Sequence, residues 1–340
     1  MNELQKRLLE LAHRGGALEF SQRLDRDADQ PLYVLAYHRV AQHNHGSRLD
    51  PTLLSASPAQ FDDQMRLLAQ RYHPVSAEEA LKAAEDGAPL PRNAVLVTVD
   101  DGYRDFQEAV FPIANRYGIR PILFVPTGFV GRGVFWWDQL YDAIQRTPFP
   151  EIPTPLGPLS LRSPEEKKQA LERLRAYVKQ SPFRSAQREI EALCEEIAPS
   201  ASPPERATLD WDELRALAQA GVTIAAHTHT HPILSHIPLD QVGDEIRASQ
   251  RFITQEIGQA LPIFAFPDGT AQAFTPEVVS LLGSEGFKLA WTMVEGRTCL
   301  RRDDLLRLPR LVVRGAMSLA QFHLRLIPVY DLWKRRQHRP

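Results

Sequence analysis

Two short stretches of this chain gather residue types that do hydrolytic chemistry. In Thr98-Val99-Asp100-Asp101-Gly102-Tyr103, two adjacent carboxylates close an apolar run. Carboxylates in that setting are costly unless a cation or a metal ion offsets them. Gly102 lets the chain turn sharply, so both acids can face one mouth instead of opposite faces of a strand. The second stretch, Ala226-His227-Thr228-His229-Thr230-His231-Pro232, also follows an apolar run, and four of the chain's 11 histidines fall between 227 and 236. In extended chain His227 and His231 stand roughly 13 Å apart, too far to share an ion. A helical turn after the strand puts i and i+4 on one face, where they can hold one. The hydroxyls of Thr228 and Thr230 are available to orient a ring. One Asp with two His makes a facial set that leaves positions open for water and substrate. Singly, each stretch also reads as an ordinary turn or a solvated loop; together, at strand ends of one chain, they argue for a shared site.

The elements that must position them are legible as short apolar runs: Tyr33–Tyr37, Ala94–Val99, Pro121–Val125, Val222–Ala226, Ile263–Phe266 and Leu311–Val313, with Phe287–Trp291 a weaker seventh. They are continuous rather than alternating, as parallel strands covered on both faces are. Helical patterns separate them. Ser57-Pro58-Ala59-Gln60 is a capping box before Phe61, Met65 and Leu68; Trp211–Gln219 ends at Ala220-Gly221; Thr275-Pro276-Glu277 opens another helix, expected to end before Gly283. This alternation predicts an α/β fold, a distorted or incomplete (β/α) barrel of about seven parallel strands. Catalysis in such barrels sits where the strands end. Residues 148–204 interrupt the rhythm, Pro-rich at both ends and polar-helical from Ser163 to Ala192, and predict a helical insertion over one face. The expected organisation is an amphipathic helical segment over 1–30, the barrel over 31–330 and a basic tail over 331–340.

With these motifs in view, the chain resembles the polysaccharide deacetylases, the NodB-homology group of carbohydrate esterase family four, over roughly residues 30–320 apart from the insertion. The family's first motif, Thr-Phe-Asp-Asp-Gly, stands here as Thr98-Val99-Asp100-Asp101-Gly102, and its second, His-Ser/Thr-x-x-His, as His227-Thr228-His229-Thr230-His231. The resemblance implies that Asp100 is the catalytic base and that Asp101, His227 and His231 bind a divalent ion, zinc in most members. It implies hydrolysis of N-acetyl, or sometimes O-acetyl, groups on sugars. Two departures stand out. The third motif, Arg-x-Pro-Tyr/Phe, is Ala265-Phe266-Pro267-Asp268, without the Arg that orients the base. A backbone N–H at Asp268, next to Pro267, can still meet an oxyanion, and Arg310 is a candidate for the missing cation. The fifth motif, Leu-x-His, has no counterpart near Leu308, so His38 is the substitute general acid; His229 alternates away from its neighbours.

Other features bound the reading. Trp137 of Trp136-Trp137-Asp138 can stack on a sugar ring or pack under the inserted helices. Trp291 reads as core, and His43 and His45 as a solvated loop. Lys+Arg total 40 against 42 Asp+Glu, with 43% hydrophobic residues. That balance excludes a disordered chain and argues against a nucleic-acid partner bound through bulk positive charge. Cys194 and Cys299 form no CxxC, which excludes a thiolate zinc site. No apolar run is long enough to span a membrane, and no secretory signal is visible, so the cytoplasm is the expected location. The expected activity is metal-dependent deacetylation of an acetylated saccharide partner, a polymer or its precursor. The alternatives are hydrolysis of a small non-peptide amide on the same fold, or saccharide binding by a degenerate, non-catalytic site.

Overall fold

The structure is a computed structural model that describes residues 3–16, 18, 31–43, 47–198, 206–315 and 317–327. Seven parallel strands form its centre: β1 (Tyr33–Tyr37), β2 (Ala94–Val99), β3 (Ile122–Val125), β4 (Thr223–Ala226), β5 (Ile263–Ala265), β6 (Leu289–Glu295) and β7 (Leu308–Val312). Each pairs with the next in chain order, and β7 returns to β1 through Leu35 opposite Leu311. The ring therefore closes. Its distortion lies in β6, where the register to β7 shifts between Trp291 and Glu295. A two-residue strand, His73–Pro74, adds to the start of β2.

The strands read as continuous apolar runs because alternate residues face two different cores. Val34, Leu96, Phe124, Ala265 and Trp291 fill one core, within the ring. Leu35, Val97, Leu123 and Phe264 pack outward against helices. Trp291 is fully buried, as a core residue.

Local sequence sets the helices. α1 (Pro58–Arg71) starts at Ser57, whose side chain and Gln60 cap each other reciprocally; such a box satisfies two otherwise orphaned donors. α2 (Trp136–Arg146) follows β3. In the interrupted region, a hairpin pairs Glu151–Ile152 with Leu159–Ser160, and two helices follow, α3 (Pro164–Gln180) and α4 (Phe183–Ile197). The single helical stretch expected there is broken at Ser181-Pro182, because proline cannot donate within a helix and disfavours helical geometry in the residue before it. Leu140, Leu174, Phe183, Ile190 and Trp136 give this region a core of its own. α5 (Trp211–Gln219) precedes β4, α6 (Leu239–Ile257) follows it, and α7 (Pro276–Ser284) runs past Gly283, two residues longer than expected. A helix spans Glu3–Arg14. Residues 19–30, His45 and the basic tail 331–340 lie outside the described residues. Among the described residues, no helix is long and apolar enough to cross a membrane.

Candidate active site

The alternation of β2 continues past its end. Ala94, Leu96 and Thr98 point into the ring, and Asp100 follows on that side, with its N–H bonded to Tyr37 O at 2.9 Å. Asp101 then takes a left-handed φ of 75° and Gly102 one of 71°. Two such residues in succession turn the chain hard, and the first is uncommon for a residue with a side chain. This backbone bend is what brings the second carboxylate to the same mouth.

The His motif follows β4, but not as a helical turn. Thr228 (φ 64°) and His231 (φ 57°) are both left-handed, and these two kinks bring the His227 and His231 rings to 4.8 Å between centroids. The threonine hydroxyls brace the backbone instead of orienting a ring. Thr228 Oγ1 donates to His227 O (2.5 Å) and accepts from His231 N (3.0 Å), while Thr230 Oγ1 donates to Glu245 (2.6 Å). The ring of His227 is held by Nδ1, which donates to Ala265 O at 2.7 Å. A carbonyl cannot donate, so Nδ1 carries a proton, and in the neutral ring this leaves the Nε2 lone pair toward Asp101.

Asp101 Oδ1 lies 3.5 Å from His227 Nε2 and 3.3 Å from His231 Nε2, and one donor atom from each of the three residues lies within 4.8 Å of the others. The first separation is too long for a good hydrogen bond. Both match what separates two ligands of one tetrahedral ion with bonds of about 2.0–2.1 Å, namely about 3.3 Å. The electrostatics agree. Burial lowers the His231 pKa, favouring the neutral imidazole. Burial opposes ionisation of Asp101, but the two neighbouring histidines override it and hold the carboxyl well below its usual range. A carboxylate and two neutral imidazoles are a donor set that fits a divalent ion of the zinc type.

Beside this triad, Asp100 is clamped by Arg310 of β7. Arg310 Nη1 donates to Oδ1 at 2.9 Å and Nη2 to Oδ2 at 2.7 Å; Nη1 also reaches Thr98 Oγ1, and Nε reaches Thr292 O at 2.9 Å. Arg310 is 0% exposed and Asp100 2%. Burial pushes the Asp100 pKa up, and the guanidinium more than reverses it, so the acid stays ionised. Ala265, where the third motif lacks its Arg, lies inside the ring. The cation comes instead from a strand distant in sequence.

These groups open onto a cavity of about 340 Å³. His38 lines it, as do Trp137 and Asp268. Trp137 stacks on Phe135 (4.4 Å, 7° between planes), meets the His231 ring at 5.0 Å and donates through Nε1 to Tyr103 Oη at 2.8 Å. Pro267 is buried, with its carbonyl accepting from Gly269 N. His229 faces away, bonded to Thr127 and stacked on Phe252. The opposite wall comes from residues that no sequence motif singled out: Arg175, Lys179 and Phe183 of α3 and α4. Arg175 pairs with Asp50, and Lys179 Nζ lies 2.6 Å from Asp268 Oδ2. Their only sequence signal is an i, i+4 spacing on a polar helix.

Fold and site together define a (β/α)-barrel protein whose strand ends carry a metal-type triad beside an ionised carboxylate. The chain belongs to the polysaccharide deacetylase family, whose sequence pattern matches residues 87–288. Over 103 residues it is 32% identical to a poly-beta-1,6-N-acetyl-D-glucosamine N-deacetylase of Escherichia coli K12, a match that covers 30% of this chain and 15% of that protein. Among solved structures, the fold is similar to the Streptococcus pyogenes deacetylase PplD in complex with acetate. The TM-score is 0.59 at 18% identity, over 88% of this chain and 99% of that one. IcaB from Ammonifex degensii gives a TM-score of 0.57 at 19% identity, over 87% and 97%.

Proposed function

We propose that this chain is a metal-dependent hydrolase that removes acetyl groups from N-acetylated sugar units of a polysaccharide or its precursor, with O-acetyl esters as a second substrate class. The observation that carries the proposal is the convergence of Asp101, His227 and His231 beside an Arg310-clamped Asp100. Asp101, His227 and His231 would hold the divalent ion, zinc by its donor set. When bound, that ion supplies Lewis acidity toward the acyl oxygen and the attacking water.

The remaining steps belong to the chain's own residues. Asp100, kept ionised by Arg310, takes a proton from the water as its oxygen bonds to the acetyl carbon. The Asp268 backbone N–H is assigned to donate to the developing oxyanion. As the carbon–nitrogen bond breaks, the leaving amine needs a proton, and His38, on the cavity wall, is assigned to give it. Trp137, which also lines the cavity, is assigned to contact the sugar ring. The name of the Escherichia coli relative supports a glucosamine-type unit.

Elemental analysis of the purified protein, run beside acetate release from acetylated glucosamine oligosaccharides and from small amides, tests this. Zinc and acetate release from the saccharide are expected; Asp100→Asn should abolish release and keep the metal. His38→Ala should slow turnover and reshape the alkaline limb of the pH profile. Release from small amides alone would replace the substrate assignment. Saccharide binding unaffected by Asp100→Asn, with no release from wild type, would leave a binding protein.

A further inference from the structure

Glu245 lies on α6, outside both motifs, and does not line the cavity. It is nevertheless 4% exposed. A buried carboxylate needs compensation from several donors, and three of the donors here come from the His loop. Oε2 accepts from the backbone N–H of His229 (2.9 Å) and of Thr230 (2.6 Å), and Oε1 accepts from Thr230 Oγ1 (2.6 Å). Its cation, Arg184 Nη2 at 3.3 Å, comes from the inserted helix α4 and is 52% exposed.

This grip falls between His227 and His231. Nothing in the 227–231 backbone is regular, and two of its residues hold left-handed φ angles. A loop with such angles persists only where its surroundings over-determine it. The 19-residue helix α6 supplies the fixed point.

We infer that Glu245 is a positioning residue for the metal site: it fixes the loop in the one conformation that aims both imidazoles at Asp101, and the inserted helices reach that loop through Arg184. The inference rests on the metal reading above. Without the carboxylate, three loop donors lose their acceptor and the peptides relax toward solvent. The His231 ring then leaves the geometry that matches one ion. Outer partners of this kind typically set metal affinity by 10–100-fold.

The test is zinc affinity of full-length protein, measured by competition with a chromophoric chelator after metal removal, for wild type, Glu245→Ala, Glu245→Gln and Arg184→Ala, with the metal-free thermal midpoint recorded for each. Glu245→Ala is expected to raise the zinc Kd by about 10–100-fold. Glu245→Gln, which keeps an acceptor but not the charge, should fall between it and wild type, and Arg184→Ala should change Kd by less than about threefold, as an exposed pair does. A purely structural Glu245 would lower the metal-free midpoint and leave the Kd of the folded protein unchanged; that result overturns the inference. Should Glu245→Ala fail to fold, a wild-type Kd for Glu245→Gln overturns it equally. Wild type that binds no zinc removes the metal reading and this inference with it, whereas tight wild-type binding matched by both Glu245 variants removes this inference alone.

Discussion

The two walls of the cavity are held by ion pairs of the same kind in different surroundings. On the barrel side, Arg310 and Asp100 are 0% and 2% exposed and meet through two parallel hydrogen bonds. On the inserted side, Lys179 is 52% exposed against Asp268 at 10%. A pair shut away from water has one geometry and fails badly when broken. A pair with one wet partner is worth about 1 kcal/mol or less, and can rearrange around a ligand. On the function proposed above, the strand ends carry the chemistry and the inserted helices contact the saccharide, and variants on each side can break that division.

The largest expected effect is at the triad. His231→Ala should lose its bound zinc on dialysis, along with acetate release, because two ligands do not hold the ion; full metal content in that variant would remove His231 from the site. Arg310→Met comes next. It leaves Asp100 buried without its cation, at a cost of about 3–5 kcal/mol in chemical denaturation. Burial then prevails at Asp100 and its pKa rises, so the base is ionised only at higher pH and the acid limb of the rate profile moves up. An unmoved limb and unchanged stability would show that the two walls do not differ as claimed. Lys179→Ala, on the wet wall, should raise KM on the order of tenfold with kcat nearly constant and zinc retained. A fall in kcat at unchanged KM would place the insertion in the chemistry.

The same contrast explains what could be read from sequence. The ring was legible because each strand is a local apolar run and its two-sided burial shows as continuity. Asp100, Asp101, His227 and His231 were legible as candidates because each pair lies within one strand-end loop. How His227 and His231 meet was not: the expected helical turn is replaced by left-handed Thr228 and His231, conformations that Thr and His side chains do not announce. Arg310 was nameable but not placeable, because its contact with Asp100 spans 210 residues and depends on ring closure. Arg175 and Lys179 carried no signal beyond their spacing, since what makes them cavity residues is the docking of α3 over the mouth. The break at Pro182 was written in the sequence, and proline at that point was signal enough to split the helix.

Asp138, where α2 joins the two sides, gives the mildest test. Its Oδ1 accepts from Asp50 N (2.7 Å) and its Oδ2 from Tyr103 Oη (2.6 Å), the hydroxyl that also receives Trp137 Nε1. Burial outweighs these bonds and pushes its pKa up to about 7. Since an unfolded Asp titrates near 3.9, the folded chain keeps a proton that the unfolded chain has released between about pH 4 and 7. This contribution to stability is therefore complete below the unfolded value and declines as pH rises through about 7, at no more than about 1.4 kcal/mol per pH unit. Asp138→Asn cannot titrate, so urea unfolding between pH 5 and 8 should lose that part of its slope while zinc content stays at the wild-type level. A slope identical to wild type would mean that Asp138 is ionised throughout and that the seam between barrel and insertion is wetter than its burial implies.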